Sequence, residues 1–217
     1  DHSKEHIINS VNGSLKHLQI EALDVLLLHR PDTLIEPEEV GEAFDELYRA
    51  GKVRYFGVSN YNPMQIELLK SGLNVPIIAN QLQFGLKATG MIDCGINVNM
   101  ANPPSIMHDG SLLEYCRLNS ITIQAWSPFL YGFFEGNFLD NPKFEELNCA
   151  LDKLAEKYGA EKNAIAAAWI LRHPAKMQVI IGTMNPERIA QICKASDINL
   201  TREEWYFLYR SAGNLIP

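Results

Sequence analysis

Residues 51–60 read GKVRYFGVSN and hold, in order, the end of a helix, a strand and a polar strand end. Gly51 follows an amphipathic pattern over residues 38–50 and suits the position just after a helix. The apolar run from Val53 to Val58 is short and nearly continuous, as in strands that are buried on both faces. A helix that leads into a buried strand is the unit of parallel sheets, so this stretch predicts an α/β fold.

The same alternation extends over the whole chain. Four more short apolar runs predict strands, at residues 23–28, 75–79, 121–125 and 177–181. Helical patterns lie before, between and after them, at residues 3–18, 65–71, 143–158, 162–171, 187–195 and 201–211. Asn62 and Asn185 each precede a proline and mark helix starts, as does the capping box from Thr201 to Glu204. We therefore expect a single α/β domain over residues 1–217.

One segment does not follow this alternation of strand and helix patterns. Residues from Gly85 to Asp109 contain Gly, Asn and Pro without clear periodicity. Connections of this length without secondary structure are uncommon, and they are usually functional. We therefore expect a functional loop here.

Charge and composition exclude several classes of protein. The chain has 19 Lys and Arg against 26 Asp and Glu, a net charge of -7, which argues against a nucleic-acid partner. Its apolar runs are far shorter than the roughly 20 residues of a membrane-spanning helix, so we expect no membrane partner. The four cysteines are scattered without metal-ligand spacing. We expect a cytoplasmic protein with free thiols and no required metal.

Polar and aromatic residues follow the predicted strands at the positions where parallel α/β proteins collect their functional groups. These residues are His29, Ser59, Asn60, Gln81, Trp126 and the pair Gly182-Thr183. Each also has a structural interpretation. A histidine or tryptophan here can belong to the core, and the polar residues can close turns. Gly182-Thr183 precedes a predicted helix start, where free N–H groups can bind an anion.

Taken together, these stretches resemble the aldo-keto reductase family. The resemblance is carried by LLLHRPD at residues 26–32, GKVRYFGVSN at 51–60, NQ at 80–81, AWSP at 125–128 and IGTMNPER at 181–188. It runs from about residue 4 to residue 212. It implies a parallel (β/α)8 TIM barrel, of which this chain contains the last five βα units, and reduction of aldehydes or ketones with a nicotinamide cofactor.

The resemblance also implies roles for residues at the reacting end of the cofactor. His29 matches the histidine that hydrogen-bonds the carbonyl of a small-molecule substrate. Ser59, Asn60 and Gln81 match the side chains that bind the nicotinamide carboxamide, and Trp126 matches the aromatic residue that stacks on the nicotinamide ring.

Other residues match the phosphate end of the cofactor. Ser127 and Phe129 match the segment that covers the pyrophosphate. Gly182, Thr183 and Arg188 match the adenosine-phosphate end, where an arginine suits the 2′-phosphate of NADP, with NAD as the alternative cofactor. Many relatives have Lys or Arg where this chain has Gly182, so the NADP preference rests on Arg188.

The family's first three βα units have no counterpart in these residues. In the family those units carry an aspartate, a lysine and the tyrosine that acts as general acid, and none of the eight tyrosines here matches it. We consider three explanations: a longer enzyme of which this is the remainder, a truncated gene, or a partner chain that supplies the missing strands. Two open sheet edges would favour self-association of a truncated barrel.

Two functions follow as hypotheses. The first is an NADP-dependent oxidoreductase that reduces aldehydes or ketones by hydride transfer. The second is a truncated, non-catalytic family member that binds nucleotide weakly or acts as an interaction subunit. The substrate is not specified by the sequence, although the loops at 85–109 and 132–141 are expected to shape its pocket. The residues of these loops that give the pocket its character are Lys87, Met91, Phe133 and Phe134.

Overall fold

The computed structural model describes residues 1–133 and 135–217, so Phe134 lies outside the described residues. The strands are β1 (Leu23–Leu28), β2 (Val53–Ser59), β3 (Ile77–Gln83), β4 (Thr122–Trp126), β5 (Leu130–Tyr131), β6 (Gly136–Asn137) and β7 (Gln178–Val179). The α-helices are α1 (Lys4–Leu18), α2 (Pro37–Arg49), α3 (Pro63–Lys70), α4 (Gly90–Ile96), α5 (Leu112–Leu118), α6 (Glu145–Tyr158), α7 (Lys162–Leu171), α8 (Pro186–Cys193) and α9 (Arg202–Ser211). Short 3-10 helices cover Pro103–Ser105, Pro142–Phe144 and Lys194–Asp197.

The chain divides into two compact units. The first comprises residues 1–81 and 114–122, and the second comprises residues 82–113 and 123–217. The prediction of a single domain over residues 1–217 stays a prediction.

In the first unit, parallel strands pair in sequence order. β1 pairs with β2 from Leu23 opposite Val53 to Leu28 opposite Val58, and β2 pairs with β3 up to Ser59 opposite Gln81. The buried stripe of α2 packs on the sheet, where the ring of Phe44 stacks on that of Phe56 at a centroid distance of 4.0 Å. In this register the last residue of β2, Ser59, lies opposite Gln81 of β3, so these two polar residues are neighbours.

In the second unit, β4 and β7 are parallel neighbours, with Ala125 opposite Val179. Helix α7 is the centre of this unit, because all its residues from Ala164 to Ile170 are buried. The indole N–H of Trp169 donates to the carbonyl of Trp205, and that of Trp205 donates to the carbonyl of Trp169, both at 3.0 Å. The two rings stack with centroids 4.7 Å apart, so α7 and α9 are joined by packing and by two buried hydrogen bonds.

The predicted parallel α/β arrangement is confirmed, with some shifts in the element bounds. β1 has the predicted bounds, but β3 begins at Ile77 rather than at residue 75. Pro76 explains the shift, because a proline lacks the N–H that a strand interior donates. β7 is limited to two residues, after which the N–H of Ile180 makes one more bond to the Ala125 carbonyl.

The segment expected to be an irregular loop, residues 85–109, contains α4 and a 3-10 turn, so that expectation was wrong in part. Helix α4 has only seven residues, of which Met91, Ile92 and Cys94 are buried. A distant contact helps to hold it, since the hydroxyl of Tyr209 donates to the Asp93 carboxylate at 2.7 Å. Helix α5 and the antiparallel β5–β6 hairpin were not predicted.

Among the described residues, no helix has both the length and the apolar character needed to cross a bilayer.

We predict that Gly57→Ala destabilises the 217-residue chain by about 1–3 kcal/mol. A Cβ at Gly57 would lie 2.5 Å from Leu27 Cδ2 and 2.7 Å from the Ala79 carbonyl oxygen, inside the sheet. Urea unfolding measures the change in the free energy of unfolding.

The matched control is Gly13→Ala, in α1, where a Cβ meets no atom within 4 Å. We expect this substitution to be neutral or to stabilise by up to about 1 kcal/mol, because alanine favours a helix over glycine. If both variants unfolded at the parent's urea concentration, the tight packing at Gly57 would be disproved.

Candidate functional site

A cleft of about 750 Å³ opens at the carboxyl ends of β4 and β7 in the second unit. The pairing of the two strands brings Trp126, which ends β4, close to the residues that follow β7. Functional groups of parallel α/β proteins gather at this end of the strands. The volume is within the range of sites that take small molecules and cofactors.

The cleft brings together the six predicted cofactor-binding residues of this unit, whereas Lys87, Met91 and Phe133, which were expected to shape the substrate pocket, do not line it. The six are Trp126, Ser127, Phe129, Gly182, Thr183 and Arg188. Trp126 is half-buried and lines the cleft, so it is not an ordinary core residue. The turn that follows it bends sharply, since Ser127 has a left-handed φ of 49° and its carbonyl accepts from the Leu130 N–H at 3.1 Å.

The two cations of the cleft differ in their partners. Lys162 forms ion pairs with Asp140 and, at 3.1 Å, with Asp152. The hydrogen bond to Asp140 raises the pKa of Lys162 above its ordinary value. Within residues 1–133 and 135–217, Arg188 forms no ion pair, and its side chain is exposed. Arg188 therefore remains available to an anion in the cleft.

The start of α8 is occupied by its own cap. Asn185 Oδ1 accepts from the backbone N–H groups of Glu187, at 2.9 Å, and Arg188, at 3.2 Å. Thr183 Oγ1 accepts from the Asn185 N–H at 3.2 Å. The predicted helix start is confirmed, but these N–H groups are already satisfied. The side chain of Arg188, rather than the backbone, is thus the strong anion-binding group at this end.

A further cleft residue, Asn163, has a hydrogen-bonding group without a partner. Its Nδ2 donates to Gln191 Oε1 at 3.4 Å, a long bond, while its Oδ1 is buried with no partner in the described part of the chain. Buried acceptors normally have a donor, so this atom is a candidate for a bond that forms with a ligand.

In the first unit, three predicted residues form one hydrogen-bonded group. Ser59 Oγ donates to the Gln81 carbonyl at 3.0 Å and accepts from Asn60 Nδ2 at 2.8 Å. The Asn60 N–H also donates to the Gln81 carbonyl at 3.0 Å, and Asn60 has a left-handed φ of 59°. Ser59 is only 2% exposed, so its hydroxyl holds the Asn60 amide in place.

His29 lies in a groove formed entirely by the first unit. This groove is lined by α1 and by the residues that follow β1, from His29 to Thr33. The side chain of His29 is exposed, so the interpretation as a buried core histidine is not supported. Nearby, the N–H groups of Leu34 and His2 donate to the Asp32 carboxylate and hold its pKa below the ordinary value.

Sequence reasoning missed several residues of the cleft. Lys162, Asn163 and Gln191 come from the helices rather than from the strand ends. The available signal was an asparagine in the otherwise alanine-rich helix KNAIAAAWIL. Among the described residues, no group of His, Cys, Asp and Glu side chains is arranged to hold a metal ion.

Comparison with known proteins identifies the class to which this chain belongs. A sequence profile described as the aldo/keto reductase family matches residues 1–208. The chain therefore belongs to the aldo/keto reductase family.

One curated relative is the 6-dehydroglucose reductase of Agrobacterium fabrum, which is 34% identical over 98% of this chain. The chain spans 64% of the length of that relative. One similar solved structure is that of a thermostable aldo-keto reductase, Tm1743, in complex with the inhibitor epalrestat. It superposes on this chain with a TM-score of 0.74 and 26% sequence identity, and the match covers 97% of this chain and 67% of that protein chain. An aldo-keto reductase of Bombyx mori, solved in complex with NADP, shares the fold with a TM-score of 0.71 and 24% sequence identity. This match covers 97% of this chain and 64% of the Bombyx mori chain. The barrel-type α/β fold is confirmed.

The cleft of the second unit fits a dinucleotide. Trp126 offers a ring, Ser127 and Thr183 offer hydroxyls, and Arg188 offers a cation that forms no ion pair with any described residue. The unpartnered Oδ1 of Asn163 matches a ligand N–H such as an adenine amine. This set of donors and acceptors suits a phosphorylated nucleotide.

We predict that Asn185→Ala lowers the free energy of unfolding by about 1 kcal/mol, because the substitution removes the acceptor for two N–H groups at the start of α8. Asn185→Asp keeps an acceptor and complements the helix dipole, so it should retain the parent's stability. Thermal unfolding compares the two variants. Equal loss of stability in both would contradict a capping role.

Proposed function

We propose that this chain is the nucleotide-binding part of an NADP-dependent oxidoreductase that reduces aldehydes or ketones to alcohols. The observation that carries the proposal is the gathering of Trp126, Ser127, Phe129, Thr183 and Arg188 around one cleft. Family membership supports hydride transfer as the type of reaction.

Each residue receives a role from its chemistry and its place. In the second unit, Arg188 pairs with the 2′-phosphate, which NADP has and NAD lacks. Trp126 stacks on the nicotinamide ring, and the turn from Ser127 to Phe129 covers the pyrophosphate. Asn163 accepts a hydrogen bond from the base. When bound, the reduced nicotinamide supplies the hydride.

In the first unit, Asn60 and Gln81 bind the carboxamide, and Ser59 keeps the Asn60 amide in its orientation through their 2.8 Å bond. Fixing that amide determines which face of the ring is presented, and orientation is a large part of the rate of hydride transfer. His29 donates a hydrogen bond to the carbonyl oxygen of the substrate, where negative charge develops.

None of the eight tyrosines matches the family's general acid, so we expect the 217-residue chain alone to bind nucleotide without appreciable turnover. Robust turnover by a chain of verified mass would contradict this expectation. Binding without turnover in every longer form of the protein would favour the non-catalytic alternative.

We predict that Arg188→Ala weakens NADPH binding to the 217-residue chain by tenfold or more, about 1.4 kcal/mol, and changes NADH binding by less than about twofold. The selectivity follows from the single phosphate by which the two cofactors differ. Isothermal titration calorimetry measures both affinities.

Arg117→Ala is the matched control, because Arg117 is exposed on α5 in the first unit. This variant should bind both cofactors as the parent does. A parallel loss of NADPH and NADH affinity in Arg188→Ala would disprove the 2′-phosphate role.

We also predict that His29→Ala slows NADPH-dependent reduction of small aldehydes by about 100-fold when the family's first three βα units are present. The cause is the loss of the hydrogen bond to the developing oxyanion. Initial rates of NADPH oxidation measure this effect, and unchanged turnover would remove His29 from the mechanism.

A further inference from the structure

A fully buried asparagine lies beside the hydrogen-bonded group of the first unit. Asn80 belongs to β3, directly before Gln81, and is 0% exposed. Its Nδ2 donates to the Tyr61 carbonyl at 2.9 Å, in the turn that follows β2. Because the side chain is enclosed, Asn80 can influence a ligand only through the residues that it holds.

The amide of Asn80 is only half satisfied. Its Oδ1 is buried and has no hydrogen-bond partner among the described residues. A buried acceptor without a donor costs free energy, and an apolar side chain at this position would leave no such atom. Buried polar groups of this kind need an explanation, and functional sites are where such local costs are found. The feature of Asn80 that an apolar residue would lack is its bond to the Tyr61 carbonyl.

That bond acts on a turn with an unfavourable backbone conformation. Asn60 has a φ of 59°, in the left-handed region, which a residue other than glycine keeps only where its surroundings enforce it. Before this residue, the Asn60 N–H donates to the Gln81 carbonyl at 3.0 Å. After it, the Tyr61 carbonyl accepts from Asn80. Two consecutive residues of β3 therefore hold the turn on both sides of Asn60.

The residues that follow Asn60 are fixed by further contacts. Tyr61 is 2% exposed, and a hydrogen bond of 3.2 Å joins its hydroxyl to His2 Nδ1. Burial raises the pKa of Tyr61, so this hydroxyl stays protonated. Asn62 is held as the cap of α3 by a capping box. A displacement of the Tyr61 carbonyl is then taken up by the backbone of Asn60, whose conformation is already unfavourable.

We propose that Asn80 is a positioning residue for the nicotinamide, because its bond to the Tyr61 carbonyl keeps Asn60 in the left-handed conformation that aims the Asn60 amide at the carboxamide. This inference rests on the proposed function, in which Asn60 binds the carboxamide. Ser59 fixes the side chain of Asn60 through their 2.8 Å bond, and Asn80 fixes the backbone that carries that side chain. Loss of Asn80 should therefore weaken the hold on the nicotinamide and leave the adenosine end of the cofactor unaffected.

The test compares the affinity of the 217-residue chain for NADP with that for 2′-phospho-ADP-ribose, which lacks the nicotinamide. We expect the parent to prefer NADP by about tenfold, and Asn80→Ala to remove most of this preference while its affinity for 2′-phospho-ADP-ribose changes by less than about twofold. The matched control is Asn97→Ala. Asn97 is also 0% exposed, and its Nδ2 donates to the Asp93 carbonyl at 2.9 Å in the second unit. This variant should keep the parent's preference for NADP.

Asn80→Asp tests the same bond with little change of shape, because only the protonated form of the introduced carboxyl can donate to the Tyr61 carbonyl. Burial raises the pKa of such a carboxyl, so the preference for NADP should be low at about pH 8 and should recover as the pH falls toward about 5. Both nucleotides carry the 2′-phosphate, whose titration cancels in the ratio of affinities. Asn80→Ala at the same pH values accounts for other titrating groups, such as His2.

Hydrogen exchange tests the hold of Asn80 on the turn without any cofactor. The Asn60 N–H should exchange at least about tenfold faster in Asn80→Ala than in the parent, because the turn opens more often. An unchanged exchange rate would overturn the proposal.

Three binding results would also overturn it: an unchanged preference for NADP in Asn80→Ala, an equal loss of affinity for both nucleotides, or no recovery of Asn80→Asp at acidic pH. If Asn80→Ala fails to fold, the two pH values of Asn80→Asp provide the comparison. A parent that binds both nucleotides equally would count against Asn60 as the carboxamide ligand and so against the proposed function. Faster exchange at Asn60 would in that case still support the hold of Asn80 on the turn.

Discussion

The parallel pairing of β4 with β7 is the contact on which the cleft of the second unit depends. The bond from the Ile180 N–H to the Ala125 carbonyl, at 2.9 Å, continues that pairing one residue past β7. It places Trp126 opposite the segment that leads to Thr183 and α8. A shift of one residue in this register would turn Trp126 or its neighbours to the other face of the strand, and the lining of the cleft would be lost.

The core of the second unit keeps that register in place. Helix α7 is buried along nearly its whole length, and the ring of Phe84 stacks on Trp169 at a centroid distance of 5.3 Å. The reciprocal indole bonds between Trp169 and Trp205 satisfy two buried indole N–H groups, which would be costly to bury without an acceptor. Lys162 and Asn163 therefore reach the cleft from a helix that is packed firmly into the core of the unit.

Local patterns predicted most of the elements and six of the residues that line the cleft, for physical reasons. Buried parallel strands give short apolar runs, and Asn62, Asn185 and Thr201 cap helices through contacts within a few residues. Helix α4 could not be predicted in this way, because the contact from Tyr209 to Asp93 spans more than a hundred residues. Asn163 was missed since it reaches the cleft from a helix, and only the fold brings that helix to the strand ends.

The cap of α8 has a consequence for how nucleotide preference can change. Asn185 already accepts from the N–H groups of Glu187 and Arg188, so under the proposed function the backbone would make no strong distinction between a ribose hydroxyl and a ribose phosphate. That distinction is left to one guanidinium group, on a side chain that no other described residue restrains by an ion pair. Under the proposed function, replacing Arg188 alone would therefore change which nicotinamide dinucleotide the cleft selects, without disturbing the sheet or the helix that carries it.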